Sequence, residues 1–93
     1  MPAVELMNLR VQIADNAFAS IRILQVEPPI KGSDHRYKYS LAYVVNGECV
    51  MRYDNERGKG DHKHIGEREY PVNFTTIEDL IAKFQAEINQ LRR

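Results

Sequence analysis

The chain has 93 residues, of which 43% are apolar and 28% charged. A chain of that length buries roughly two thirds of its unfolded surface, which supports one core, and its composition is too apolar for a disordered tail. Thirteen basic residues balance thirteen acidic ones, so no global field draws the molecule to nucleic acid or anionic lipid, and any such contact needs a local patch.

The reading is a single α+β domain over residues 1–93. Cys49 is the only cysteine, which excludes an intrachain disulfide and suits a reducing compartment. It lies in the apolar run Gly47-Glu48-Cys49-Val50-Met51, where a buried, unreactive role is expected. The opening Met1-Pro2-Ala3-Val4-Glu5-Leu6 has no basic and apolar signal pattern, and no run approaches the ~20 apolar residues that span a bilayer. A cytoplasmic protein with no membrane partner is expected.

Leu9, Val11 and Ile13 alternate with Arg10 and Gln12, the period of a half-buried strand. Ala14-Asp15-Asn16-Ala17 supplies a tight turn, and Phe18 to Val26 returns as the second strand of a hairpin. Glu27-Pro28-Pro29-Ile30-Lys31-Gly32-Ser33-Asp34 is a loop, because its prolines remove ladder donors. Tyr37 to Val45 reads as a strand, Asn46-Gly47 as a hairpin turn, and Glu48 to Tyr53 as the returning strand.

A regular register about Asn46-Gly47 sets Val45 opposite Glu48, Tyr43 opposite Val50, Leu41 opposite Arg52 and Tyr39 opposite Asp54. The tyrosines then form one face, open to solvent or a partner. Ser40, Ala42, Val44, Cys49, Met51 and Tyr53 form the other, against a helix. That helix is the C-terminal segment, where Ile77, Leu80, Ile81, Phe84, Ile88 and Leu91 recur at helical spacing. Thr75 and Glu78 are spaced for a capping box, and Arg92 and Arg93 suit the negative end of the dipole. The expected architecture is a four-stranded, mostly antiparallel sheet of two hairpins with the helix on one face.

Chemistry is concentrated after Tyr53. Asp54 to His64 contains Asp54, Glu56, Asp61, Asn55, Arg57, Lys59, Lys63, His62 and His64, and no apolar residue. Gly58 and Gly60 let backbone approach a ligand and present N–H groups to an anion. His62 and His64 share one face of an extended chain, and two imidazoles can serve as acid and base on a phosphodiester or acyl group. A merely solvated loop is the competing reading, and a third sets His62, His64 and Asp61 or Asp54 around a metal. Repulsion from Arg57, Lys59 and Lys63 weighs against the metal, so none is expected, and no cofactor. His35 is expected as an exposed loop residue outside the site.

Lys38-Tyr39, the Asn46-Gly47 hairpin, Arg52-Tyr53-Asp54-Asn55, the block Gly58-Lys59-Gly60-Asp61-His62-Lys63-His64 and the helix after it resemble the TumE-type toxin family of small bacterial proteins. The resemblance runs from about Val11 to the C-terminus. It implies a toxin encoded beside a helix-turn-helix antitoxin, and many toxins of this size cleave messenger RNA. Many members carry a longer loop where this chain has Glu56-Arg57-Gly58-Lys59-Gly60.

Two functions follow as expectations. In the first, a metal-independent RNA-cleaving toxin uses His62, His64, Asp54 and Asp61 as catalytic groups, with Arg52, Asn55, Arg57, Lys59 and Lys63 holding substrate. In the second, a non-catalytic module binds an antitoxin, or a second copy as a homodimer, through the exposed tyrosine face.

Overall fold

Four tight turns and the 27–36 loop carry the chain back and forth through one antiparallel meander. The computed structural model describes residues 3–92. Its elements are β1 (Ala3–Ala14), β2 (Ala17–Val26), β3 (Tyr37–Val45), β4 (Glu48–Glu56), β5 (Gly60–Ile65), β6 (Arg68–Pro71) and α1 (Ile77–Leu91). The strands form one six-stranded sheet in sequence order. The two predicted hairpins are present, with Asp15-Asn16 and Asn46-Gly47 as their turns. Asn46 and Gly47 both take positive φ, 53° and 77°, as a two-residue turn matched to strand twist requires.

The sheet has six strands rather than the four expected. The polar segment read as a loop completes β4, turns at Arg57-Gly58-Lys59 and returns as β5, and β6 follows. Neither added strand carries apolar alternation: β5 reads Gly-Asp-His-Lys-His-Ile and β6 is exposed throughout. Ladder hydrogen bonds hold them, and the Lys63–Glu87 bond ties β5 to α1. β1 also begins well before Leu9.

The register of β4 differs from the regular one. Val45 faces Glu48 and Val44 faces Cys49, but Tyr43 faces Met51, Leu41 faces Tyr53 and Ser40 faces Asp54, with the irregularity between Tyr43 and Val44. Val50 is the extra residue, a bulge. Beyond it every side chain of β4 changes face. Met51 and Tyr53 join Tyr39, Leu41 and Tyr43 on the core side, while Arg52, Asp54 and Glu56 turn outward. A bulge gives up about one ladder hydrogen bond, near 1 kcal/mol. Burying a side chain the size of Met51 returns about 1.5–3 kcal/mol, and the regular register would set Arg52 and Asp54 against the helix. Burial wins.

The tyrosine face is therefore the core and not a free surface: Tyr39 is 1% and Tyr43 4% exposed. Leu80, Phe84 and Ile88 of α1 pack there against Ala19, Ile21, Ile23, Leu41, Met51 and Tyr53. Phe84 meets Tyr53 edge-on, with ring centres 5.7 Å apart. Cys49, expected in the core, is exposed near the turn.

The helix cap lies one residue beyond the predicted pair. Thr76 is the N-cap and accepts from the Asp79 N–H at 3.0 Å. Thr75 Oγ1 donates to Asp79 Oδ2 at 2.6 Å, and this bond, with Lys83 beside it, holds the Asp79 carboxyl below its usual range. Arg92 closes the last turn through its N–H to Ile88 O, and Arg93 lies outside the described residues.

Coverage by α1 stops short of β1. Val4, Leu6, Leu9 and Val11 are about half exposed on that edge strand, and a groove lined by Val11, Ile13, Ala19, Ile21, Phe84 and Ile88 runs between it and α1.

Tyr53 donates its hydroxyl hydrogen to Glu87 Oε1. Burial, then this bond and the Glu87 charge, push its pKa above the ordinary 10.0. Burial does the same to Tyr39, reinforced by Asp61. The folded state therefore keeps phenol protons that the unfolded chain releases, so this stabilisation is complete below pH 10 and is lost as pH rises further. The urea midpoint is expected to hold to about pH 9 and to fall above about pH 10. Tyr53→Phe should flatten that fall.

Candidate active site

The β4–β5 turn is shaped by backbone packed on backbone. Gly58 and Gly60 take positive φ, 85° and 77°, and the Lys59 N–H closes the turn on Glu56 O at 3.1 Å. A Cβ on Gly60 would stand 2.8 Å from Gly32 O, so only glycine fits. The Gly58 N–H donates to Lys31 O at 2.6 Å. These glycines dock the 27–36 loop, and at Gly58 the expected free N–H for an anion is already used.

Strand alternation then sorts the polar residues onto two faces. The outer face, opposite α1, holds Arg52, Asp54 and Glu56 of β4 beside His62 and His64 of β5, with Asp54 facing His62 and Arg52 facing His64. β6 adds Glu69 opposite His64. The inner face holds Asn55, Asp61 and Lys63.

On the outer face the functional atoms converge. One ligand-type atom from each of Asp54, Glu56, His62 and His64 lies within 4.8 Å of all the others. His62 Nε2 is 2.8 Å from Asp54 Oδ1, 3.7 Å from Glu56 Oε1 and 3.5 Å from Glu69 Oε2. His64 Nε2 is 3.4 Å from the same Glu69 oxygen. The imidazoles meet edge-on at 4.9 Å. Depth differs between them: the His62 side chain is 5% exposed and that of His64 37%. His62 is thus sealed beneath the cluster, and His64 and Glu69 form its mouth. Lys59 Nζ stands 3.8 Å from Glu69, and Arg52 is exposed beside His64.

The inner face removes several residues from the expected site. Asp61 points away from the two histidines and accepts from Ser33 Oγ at 3.1 Å and from His35 Nε2 at 3.0 Å. His35 Nδ1 accepts the Tyr37 N–H at 3.2 Å, so the ring hydrogen is on Nε2, directed at Asp61. The ring also stacks on Phe74 at 3.9 Å. His35 is therefore a largely buried brace for the loop rather than an exposed loop residue. Asn55 is 0% exposed and cannot hold substrate. Its Oδ1 accepts the Tyr39 N–H at 3.0 Å, and its Nδ2 donates to Tyr37 O at 2.7 Å and to Ser33 Oγ. Lys63 donates to Glu87 Oε1 at 2.9 Å, tying β5 to α1. Arg57 lines a groove with Pro28 and Ile30. Of the predicted set, Asp54, His62, His64, Arg52 and Lys59 gather at the cluster; Asp61, Asn55, Lys63 and Arg57 do not.

A family model described as Toxin TumE matches residues 3–92. The chain belongs to the Toxin TumE family. No curated protein and no solved structure matches it.

In this TumE-family chain two cluster members escaped the sequence reading, Glu56 and Glu69. A signal for Glu56 was present: Asp54-x-Glu56 and His62-x-His64 share the two-residue period of a strand, so a hairpin closing at Gly58 brings all four to one face. Glu69 required recognising Gly66-Glu67 as a further turn.

Asn55→Ala should cost about 2–4 kcal/mol in urea unfolding, because it strands buried donors and acceptors. Arg57→Ala should stay within about 0.5 kcal/mol of wild type. Equal stabilities would contradict the structural assignment of Asn55.

Proposed function

We propose that this TumE-family chain is a toxin that inhibits growth by cleaving phosphodiester bonds in RNA at the outer-face cluster. The observation that carries the reading is the convergence of Asp54, Glu56, His62 and His64 within 4.8 Å on an open face whose rim holds Arg52, Lys59 and Glu69. Phosphodiester cleavage needs a group that takes a proton from the attacking hydroxyl, one that returns a proton to the leaving oxygen, and positive charge near the phosphate. Imidazoles and carboxylates in contact supply the first two, either directly or through a bound ion. Arg52 and Lys59 supply the charge. With balanced net charge, RNA affinity rests on this patch and weakens with salt.

His62 is too deep to reach a substrate itself, so the accessible groups His64 and Glu69 face the RNA. His64→Ala and Glu69→Gln should each lower RNA cleavage by about a hundredfold or more and relieve growth inhibition. Circular dichroism should remain that of the folded chain. Inhibition at wild-type strength by both variants defeats the reading.

A partner is the second part of the proposal. The tyrosine face is occupied by α1, so an antitoxin, proposed as a small helix-turn-helix protein, needs another surface. The half-exposed Val4, Leu9 and Val11 of β1 and that strand's open edge offer apolar area and unpaired backbone groups. Leu9→Glu and Val11→Glu together should abolish protection by the antitoxin in co-expression and leave growth inhibition intact. A homodimer through the same edge is the competing outcome, read by sedimentation of the chain alone. Among the described residues no helix is long and apolar enough to cross a membrane.

A further inference from the structure

We infer that Asp54, Glu56, His62, His64 and Glu69 form a binding site for one divalent transition-metal ion that takes mixed imidazole and carboxylate ligands. The inference deepens the RNA-cleavage reading, since it concerns the same cluster.

His62 carries the argument. Its Nδ1 lies 3.0 Å from Gly60 O, and a carbonyl only accepts, so this nitrogen bears the ring hydrogen. The lone pair of the neutral ring is then on Nε2, which stands 2.8 Å from Asp54 Oδ1. Both atoms are buried and neither has a hydrogen-bond partner. Two facing electron-rich atoms, buried together, repel until a cation lies against both, either a proton on Nε2 or a metal ion, and their lack of hydrogen-bonding alignment favours the ion over a shared proton. An Nδ1–H held by a backbone carbonyl is also the support that fixes ligating imidazoles in metal sites.

The spacing agrees. Ligand atoms about 2.0–2.2 Å from one ion stand roughly 3–3.5 Å from each other. Here the separations from His62 Nε2 to Asp54, Glu69 and Glu56 are 2.8, 3.5 and 3.7 Å, and His64 to Glu69 is 3.4 Å. The β4–β5 hairpin and β6 bring these atoms together. Two nitrogen donors beside carboxylate oxygens select Zn²⁺, Mn²⁺ or a neighbour of theirs over Ca²⁺ and Mg²⁺, which favour all-oxygen shells.

The repulsion expected from three cations is largely absent. Lys63 is on the inner face with Glu87, and Arg57 lines the separate groove that Pro28 and Ile30 also line. Lys59 remains, paired with Glu69, and Arg52 is exposed on the rim beside His64. The half-exposed His64 and Glu69 leave a way in for the ion.

The test uses the full chain without a histidine tag, freed of metal by chelation and dialysis. Zn²⁺ and Mn²⁺ are titrated by calorimetry, and Co²⁺ by its visible absorption. One ion per chain is expected, with affinity lowered about a hundredfold or more in His62→Gln/His64→Gln and unchanged in Glu67→Gln, which alters an exposed turn. Should the double variant not fold, the mouth variant His64→Gln/Glu69→Gln takes its place. Wild-type binding that is absent, or no tighter than the variant's, overturns the site. Absent binding together with RNA cleavage at full rate in excess chelator overturns the site and leaves the toxin reading standing. Stoichiometric binding without RNA cleavage under any of these ions keeps the site and removes that reading.

Discussion

The extra residue at Val50 decides the two sides of this molecule. Without it, Arg52 and Asp54 would be pressed against Phe84 and Leu80, and Met51 and Tyr53 would be in water. With it, the tyrosines of β3 and the apolar residues of β4 share one surface beneath α1, and the charged residues of β4 point away. Because β5 pairs with β4, and β6 with β5, the choice propagates. His62, His64 and Glu69 reach the outer face only because Asp54 does. Core and cluster thus share a single cause.

That division also gives neighbouring residues opposite duties. Along β5, Asp61 and Lys63 fasten the strand inward, to the 27–36 loop and to α1, while His62 and His64 face out. Along β4, Asn55 sits between Asp54 and Glu56 and makes the hydrogen bonds that hold the start of β3. Asp61, Lys63 and Asn55 of the inward set are satisfied by protein partners, and among the described residues only the core-buried Tyr39 hydroxyl there lacks one. In the outward set, the buried Asp54 Oδ1 and His62 Nε2 lack hydrogen-bond partners. Unmet polar capacity on a rigid frame is what separates a site from a brace.

Much of the frame was legible in the residues. Leu9-x-Val11-x-Ile13, Asn46-Gly47 and the stripe from Ile77 to Ile88 identified two hairpins and the helix through hydrophobic period and turn chemistry. β5 and β6 escaped because their period is one of charge rather than of apolarity, and a polar segment that gains its order from ladder bonds looks like a loop. The bulge was illegible for another reason. Val50 is a good residue for either register, and the preference comes from what α1 covers, a long-range term that no local pattern carries. Asp61 and Asn55 were drawn into the expected site by proximity in sequence, which a strand splits between its faces at every step.

Gly32 and Gly60 meet with no room for a side chain between them, and the Gly58 N–H is bonded to Lys31 O. The 27–36 loop and the β4–β5 bend therefore behave as one interlocked piece, and their lengths are not independent. A chain that lengthens one must reshape the other or lose the seam between them. Protein engineering of this region is thus a two-segment problem, in which grafting a single bend from another member would unseat Ser33 and His35 along with it.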